Sequence, residues 1–211
     1  MMLLTLSIAD NTRITLTLQE IEDLLVNMTL PLYDMCVPNL ERPFMQDLSI
    51  PMFLGVPLTL NMIESLVAQR PSFLRNIMLV GRAYRGASLL TAFPNIPSEV
   101  LGILQDLEGL VSISYATKLV HRYFPALVPI IDEDCVWPAY ANAVRASHDW
   151  TVSDVLSIMN KLRESVAVQE SNLKALREAI ELKHRWTNCL STLRFYDLVL
   201  WRWFTMMRQK Q

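Results

Sequence analysis

Glycine is scarce. Five in 211 residues leave little room for glycine-rich loops that bring bare backbone up to a phosphate. Charge is sparse too: charged residues make up 19% and the formal net charge is -2. No global basic field draws nucleic acid, so DNA contact needs a local patch. The cysteines number three, Cys36, Cys135 and Cys189. Their odd count and lack of ligand spacing suit free thiols in a reducing interior rather than a disulfide framework or a zinc site. His148 and His184 are isolated, and no second His stands at ligand spacing from His121, so no metal and no cofactor is expected. The opening MMLLTLSIAD lacks a basic n-region and meets Asp10 early, which speaks against a signal peptide. The late apolar segment LRFYDLVLWRWFTMM holds Arg194, Asp197 and Arg202 and falls short of the ~20 apolar residues of a membrane span. A cytoplasmic protein outside the membrane is the expectation.

What is abundant is apolar material, 52% of the chain, enough for one large core. The expectation is a single mainly all-α domain over 1–211, a globular helical array rather than a simple bundle. Alternation on both sides of Asp10-Asn11 predicts a small β-hairpin appendage over 1–18. Thr17 with Glu20 reads as a capping box opening a helix to about Asn27. Prolines punctuate residues 31–58, where one helical turn is expected near Pro51 to Leu54. Leu60, Ile63, Leu66 and Val67 make a helical face that should end before Pro71, with a further helix from about Ser72 to Val80.

Ser98 is expected to cap a helix to Leu107. Glu108-Gly109-Leu110 makes a turn, and a second helix runs from Ser112 to Phe124. Asp132 can cap a helix through about Ala146. Thr151 with Asp154 opens a helix carrying Leu156, Met159 and Leu162, and another helix covers about Ser171 to His184. Ser191 caps the last, to about Arg208.

Several residues invite a functional reading beside a structural one. Ser112, Ser114, Thr117 and Lys118 cluster at a helix start, where hydroxyls and an amine can hold a phosphate or merely cap the helix. His121-Arg122 at that helix's end suits the macrodipole as a cationic pair. Arg194 and Asp197, three apart, can form an ion pair pinning the last helix to the core, or line a pocket with Trp201 and Trp203. Asp47 can cap the turn of the front loop. The run Trp201, Trp203, Phe204, Met206 and Met207 is core, or a surface for a protein partner or second copy.

The order helix, tight turn, helix, Pro125, apolar run and Asp132 resembles the helix-hairpin-helix DNA glycosylase superfamily. The loop Val128-Pro129-Ile130-Ile131-Asp132 stands where that superfamily carries a catalytic Asp. The resemblance implies a glycosylase-like core over 98–146 and a catalytic candidate in Asp132, whose carboxylate would stabilise a developing oxocarbenium charge or orient water. Ser112-Ile113-Ser114 replaces the usual hairpin glycines. Tyr115, give or take one position, stands where bifunctional members carry a Lys nucleophile, with Lys118 one turn later. The resemblance therefore implies at most a monofunctional DNA N-glycosylase. Nearly the whole chain also looks like a bacterial family of helical proteins with no assigned function, through LERPFMQDLSIPMFLGVPL, ATKLVHRYFPALVPIIDEDCV and LSTLRFYDLVLWRW.

Three functions stay open. One is a glycosylase-like protein binding DNA through a local patch of Lys118, Arg122, Arg82 and Arg85. The second is a non-catalytic interaction protein that reuses the fold. The third is an enzyme on a small nucleoside-like substrate.

Overall fold

Alternation makes the N-terminal sheet. Strands β1 (Leu3–Ser7) and β2 (Arg13–Thr17) pair antiparallel, with Leu6 opposite Ile14 and Thr5 opposite Thr15. Leu6, Ile14 and Leu16 are buried while Thr5 and Thr15 face out, as a period of two requires. The structure, a computed structural model, describes residues 3–8, 12–25, 33–34, 45–84, 86–140, 150–182, 184 and 190–209. The Asp10-Asn11 turn, Cys36, Cys189, His148 and Arg85 lie outside these, as does the side chain of Asp47.

Helices make up most of the rest. Thr17 and Glu20 form the reciprocal box that opens α1 (Leu18–Leu25): Thr17 N–H donates to Glu20 Oε2 at 2.7 Å and Glu20 N–H to Thr17 Oγ1 at 3.2 Å. A 3-10 segment spans Met45–Leu54 with Pro51 inside it, longer than the single turn expected.

Next, α2 runs unbroken over Leu60–Tyr84. The expected break at Pro71 does not occur, and the expected face is only partly buried, since Leu60 and Val67 are exposed. The buried stripe is Leu66, Phe73, Ile77 and Val80. Its spacing of seven, four and three carries one helical face past the proline, and packing that face on the following hairpin offsets the hydrogen bond a proline forfeits.

A short helix, α3 (Leu89–Ala92), precedes the hairpin of α4 (Ser98–Leu107) and α5 (Ile113–Tyr123). Pro97, not Ser98, holds the N-cap position of α4; the Ser98 hydroxyl donates to Glu99 instead. Proline is well suited to a helix entrance, where its missing N–H costs nothing. Gly109 turns the chain at φ +74°. A Cβ there meets nothing within 4 Å, so only the backbone conformation disfavours a side chain. Gly109→Ala is expected to cost about 1 kcal/mol, read as a lower urea midpoint with unchanged m-value. An unshifted midpoint would mean the turn relaxes freely.

Beyond α6 (Val136–Ala139), the capping box of Thr151 and Asp154 opens α7 (Val152–Glu181). This is one helix of 30 residues, where two were expected. Leu162, Val166, Gln169, Leu173, Leu176 and Ile180 are buried at unbroken three- and four-residue steps, so one apolar face carries the helix across the interval between the two expected. Gln169 completes the stripe with a polar contact: its amide donates to Ser7 O at 2.9 Å and accepts from Ser7 N–H at 2.7 Å, clamping strand β1.

The last helix is α8 (Thr192–Gln209), capped by Ser191, whose hydroxyl accepts Arg194 N–H at 3.0 Å. It packs on α7, α1 and β2. One core cluster runs from the hairpin strands to α8. No helix among the described residues is long and apolar enough to cross a membrane.

Candidate functional site

Helix α5 is buried at every one of its positions, so its polar side chains must find partners inside. Ser112, the N-cap, accepts Tyr115 N–H at 3.2 Å. Thr117 Oγ1 donates to Ile113 O at 2.8 Å and accepts Ile131 N–H at 2.9 Å, tying the following strap to the helix. Lys118 reaches back one turn and donates to Ser114 Oγ at 3.3 Å and to Leu54 O at 3.2 Å. The hydroxyls and the amine considered for phosphate are thus engaged internally.

His121 corrects the reading of a cationic helix end. Its Nδ1 lies 2.6 Å from Val128 O; a carbonyl only accepts, so Nδ1 carries the proton. Burial first, then the Arg194 charge, push its pKa down to about 3, leaving a neutral ring whose Nε2 has no partner among the described residues. Lys118 and Arg122 are buried, so they form no surface basic rim with the exposed Arg82.

The strap Leu127–Ile131 is buried throughout because it is apolar and held from both sides. It ends in Asp132. Oδ1 of Asp132 accepts Cys135 N–H at 2.6 Å and Val136 N–H at 3.3 Å, which makes Asp132 the side-chain cap of the entry to α6. Cys135, not Asp132, holds the N-cap position of α6, so the cap expectation holds only for the turn that leads into the helix. The described helix after it is Val136–Ala139, and residues 141–149 lie outside the description.

From α8 come Arg194 and Asp197, a buried ion pair as expected. Sequence reasoning missed their third member. Asp34 accepts Arg194 Nε at 2.8 Å and Nη2 at 3.1 Å, a bidentate pair, and the guanidinium lies over the Tyr33 ring at 5.4 Å. Tyr33 OH in turn donates to Lys118 O at 2.5 Å. Nothing in the proline-punctuated front loop marks Asp34 apart from its neighbours.

These pieces meet in one dry centre. Lys118 is 6% exposed, Asp132 8%, Asp197 4% and Arg194 3%. Burial raises the Asp197 pKa to about 7, against the pull of Arg194; its Oδ1 has no partner among the described residues. Desolvation lowers Lys118, while Asp132 and Asp197 pull it back up. Burial and the Asp132 charge hold the Cys135 thiol well above its usual range. For Arg194, Asp34 and Asp197 outweigh the desolvation that alone would lower its pKa.

One ligand atom each of Asp132, Cys135 and Asp197 lies within 4.8 Å of the others, the one trio of metal-ligand make-up among the described residues. Lys118 and Arg194 already supply positive charge beside it, so the trio does not need an ion for charge balance. The aromatic residues Trp201 and Trp203 lie on later turns of α8, half-buried against the core.

The coordinates define a mainly helical protein with a small N-terminal sheet and a buried ionisable centre built from its helical hairpin, the strap and the last helix. The chain belongs to DUF6308, a family of unknown function whose model matches residues 31–204. That span holds every residue of the centre, from Tyr33 to Asp197. No curated protein and no solved structure matches the chain.

Proposed function

We propose that this centre cleaves an N-glycosidic bond, on a base in nucleic acid or on a nucleoside, as the resemblance to helix-hairpin-helix glycosylases implies. One observation carries the reading: Asp132, the carboxylate that the resemblance assigns, sits in the same dry cluster as Asp197 and Lys118. Clustered titratable groups with displaced pKa values mark candidate catalytic sites. In this reading Asp132 stabilises the oxocarbenium charge that develops on the sugar as the base leaves. Asp197, whose pKa burial raises to about 7, gives a proton to the departing base, and a water adds to the sugar carbon, so that a C–O bond replaces the C–N bond broken and the water's second proton is released.

The pair Asp132→Ala and Asp132→Asn separates cap from catalyst. The Ala variant is expected to lose ~0.5–2 kcal/mol of stability, while Asn, itself a good cap, loses less. Both should abolish base release from damaged duplexes and free nucleosides, because neither carries the charge. Base release that persists at the wild-type rate in Asp132→Asn removes the carboxylate from the mechanism. A wild type that releases no base from any substrate of either class sinks the glycosidic reading. The internal bonds of Ser114, Thr117 and Lys118 then favour the second reading, in which the centre is a clamp inside a non-catalytic interaction protein. The apolar end of α8 would be its contact surface.

A further inference from the structure

We propose that a second site, apart from the buried centre, binds the phosphate group of a small hydroxylated molecule in the cleft between α7 and the start of α8. The cleft has a volume of about 280 Å³, and Ser88, Ala126, Arg163, Glu170, Arg177 and Thr192 are among its lining residues. That size is at the lower end for ligand pockets; it suits a phosphate with a few carbons attached.

Arg163, Glu170 and Arg177 recur every seventh position on α7, so they stand on one face two turns apart. The lining carries two guanidiniums against one carboxylate. Arg177 makes no ion pair among the described residues; its one hydrogen bond runs from Nη1 to Leu190 O at 3.1 Å. Arg163 is held over the Phe93 ring at 5.3 Å and donates to Asn160 Oδ1 at 3.3 Å, with Glu164 no nearer than 3.9 Å. Neither Nε has a partner among the described residues.

Two partly buried guanidiniums therefore face one cleft with one carboxylate, Glu170, between them: Arg177 makes no ion pair among the described residues, and Arg163 has only the 3.9 Å contact with the exposed Glu164. Half-buried charge of one sign is costly unless something of the other sign joins it. The site differs in this from the buried centre, where Arg194 is fully paired. Thr192, first residue of the 18-residue α8, adds a hydroxyl at the positive end of a helix dipole. The guanidinium fork matches phosphate oxygens two at a time. Glu170, lying between the arginines in sequence, repels a bare second anion and accepts hydrogen bonds from hydroxyls on the rest of the molecule. That selects a phosphorylated polyol over a dicarboxylate.

The inference does not rest on the glycosidic reading, and Asp132→Asn should leave it untouched. Inorganic phosphate and glycerol phosphate, each against chloride at equal ionic strength, are the probes. Both should raise the melting temperature of the wild type, as a ligand of the native state does, and calorimetry should give one site. Arg177→Gln should weaken phosphate binding roughly tenfold or more. Glu170→Gln should strengthen binding of inorganic phosphate, since it removes the opposing charge. A phosphate effect no larger than that of matched chloride overturns the site, as does an Arg177→Gln protein that binds as well as wild type. If Arg177→Gln does not fold, because Leu190 loses its donor, Glu170→Gln decides: phosphate affinity that does not rise there overturns the site.

Discussion

Arg194→Met will be among the most destabilising single substitutions in this protein, at ~3–5 kcal/mol. Methionine keeps much of the volume and loses the charge. It leaves Asp34 as a buried carboxylate facing no guanidinium and drives Asp197 to its protonated form, where both now accept from Arg194. Intact buried ion pairs add little net stability, because desolvation consumes most of the attraction; removing one partner exposes the whole desolvation cost. Folded domains have only ~5–15 kcal/mol in hand, so the variant should be largely unfolded at modest urea. Arg194→Lys should fall between, since one ammonium cannot reproduce a fork that serves Asp34 twice and Asp197 once. Combining Arg194→Met with Asp34→Asn and Asp197→Asn should recover much of the loss, because no buried charge is then left unmatched. A single variant within ~1 kcal/mol of wild type would place these groups in water, contrary to their burial.

That triad also marks where the sequence stops being legible. Local signals were readable because their physics is local. Thr17 with Glu20, Thr151 with Asp154, Ser112, Ser191 and the Asp132 cap all satisfy helix-end N–H groups within four residues. Gly109 announced the hairpin turn for the same reason. One signal misled. Pro71 argues locally for an end, but the buried stripe of α2 runs past it, and tertiary packing overrides a local preference.

The centre lay further beyond reach. Arg194 and Asp197 were visible as a pair three apart on one helix, and Asp132 as a cap. That Asp34, Lys118, Cys135 and His121 surround them depends on how α5, the strap and α8 stack. One sequence carries no periodicity or spacing for such a meeting. His121 shows the cost: at a helix end it reads as a cation, and only its burial beside Arg194 makes it neutral.

The same centre will give the protein an unusual dependence on pH, and Asp197→Asn will expose it. Asp197 titrates at about 7 in the folded protein, against ~3.9 for an Asp in an unfolded chain. Between those values the folded state holds a proton that the unfolded state has released. Its contribution to stability is therefore complete below the unfolded pKa and is lost as pH rises through about 7. His121 acts in the opposite sense. Its folded pKa is about 3, against ~6.5 unfolded, so the unfolded state gains the extra proton and stability falls as pH drops below ~6.5.

Over the shared window the two slopes oppose each other. In Asp197→Asn the His121 slope stands alone, with the amide still able to accept from Arg194. The stability of wild type minus that of the variant should fall as pH rises from ~4 to ~7, by on the order of a few kcal/mol, and then level off. Urea unfolding at half-unit pH steps gives that difference curve directly, with the titrations common to both proteins, that of His121 included, cancelling. A curve that stays flat over this interval, or rises only at its acid end, would mean that Arg194 holds Asp197 ionised throughout, and the proton assigned to Asp197 in base release would have to come from another group.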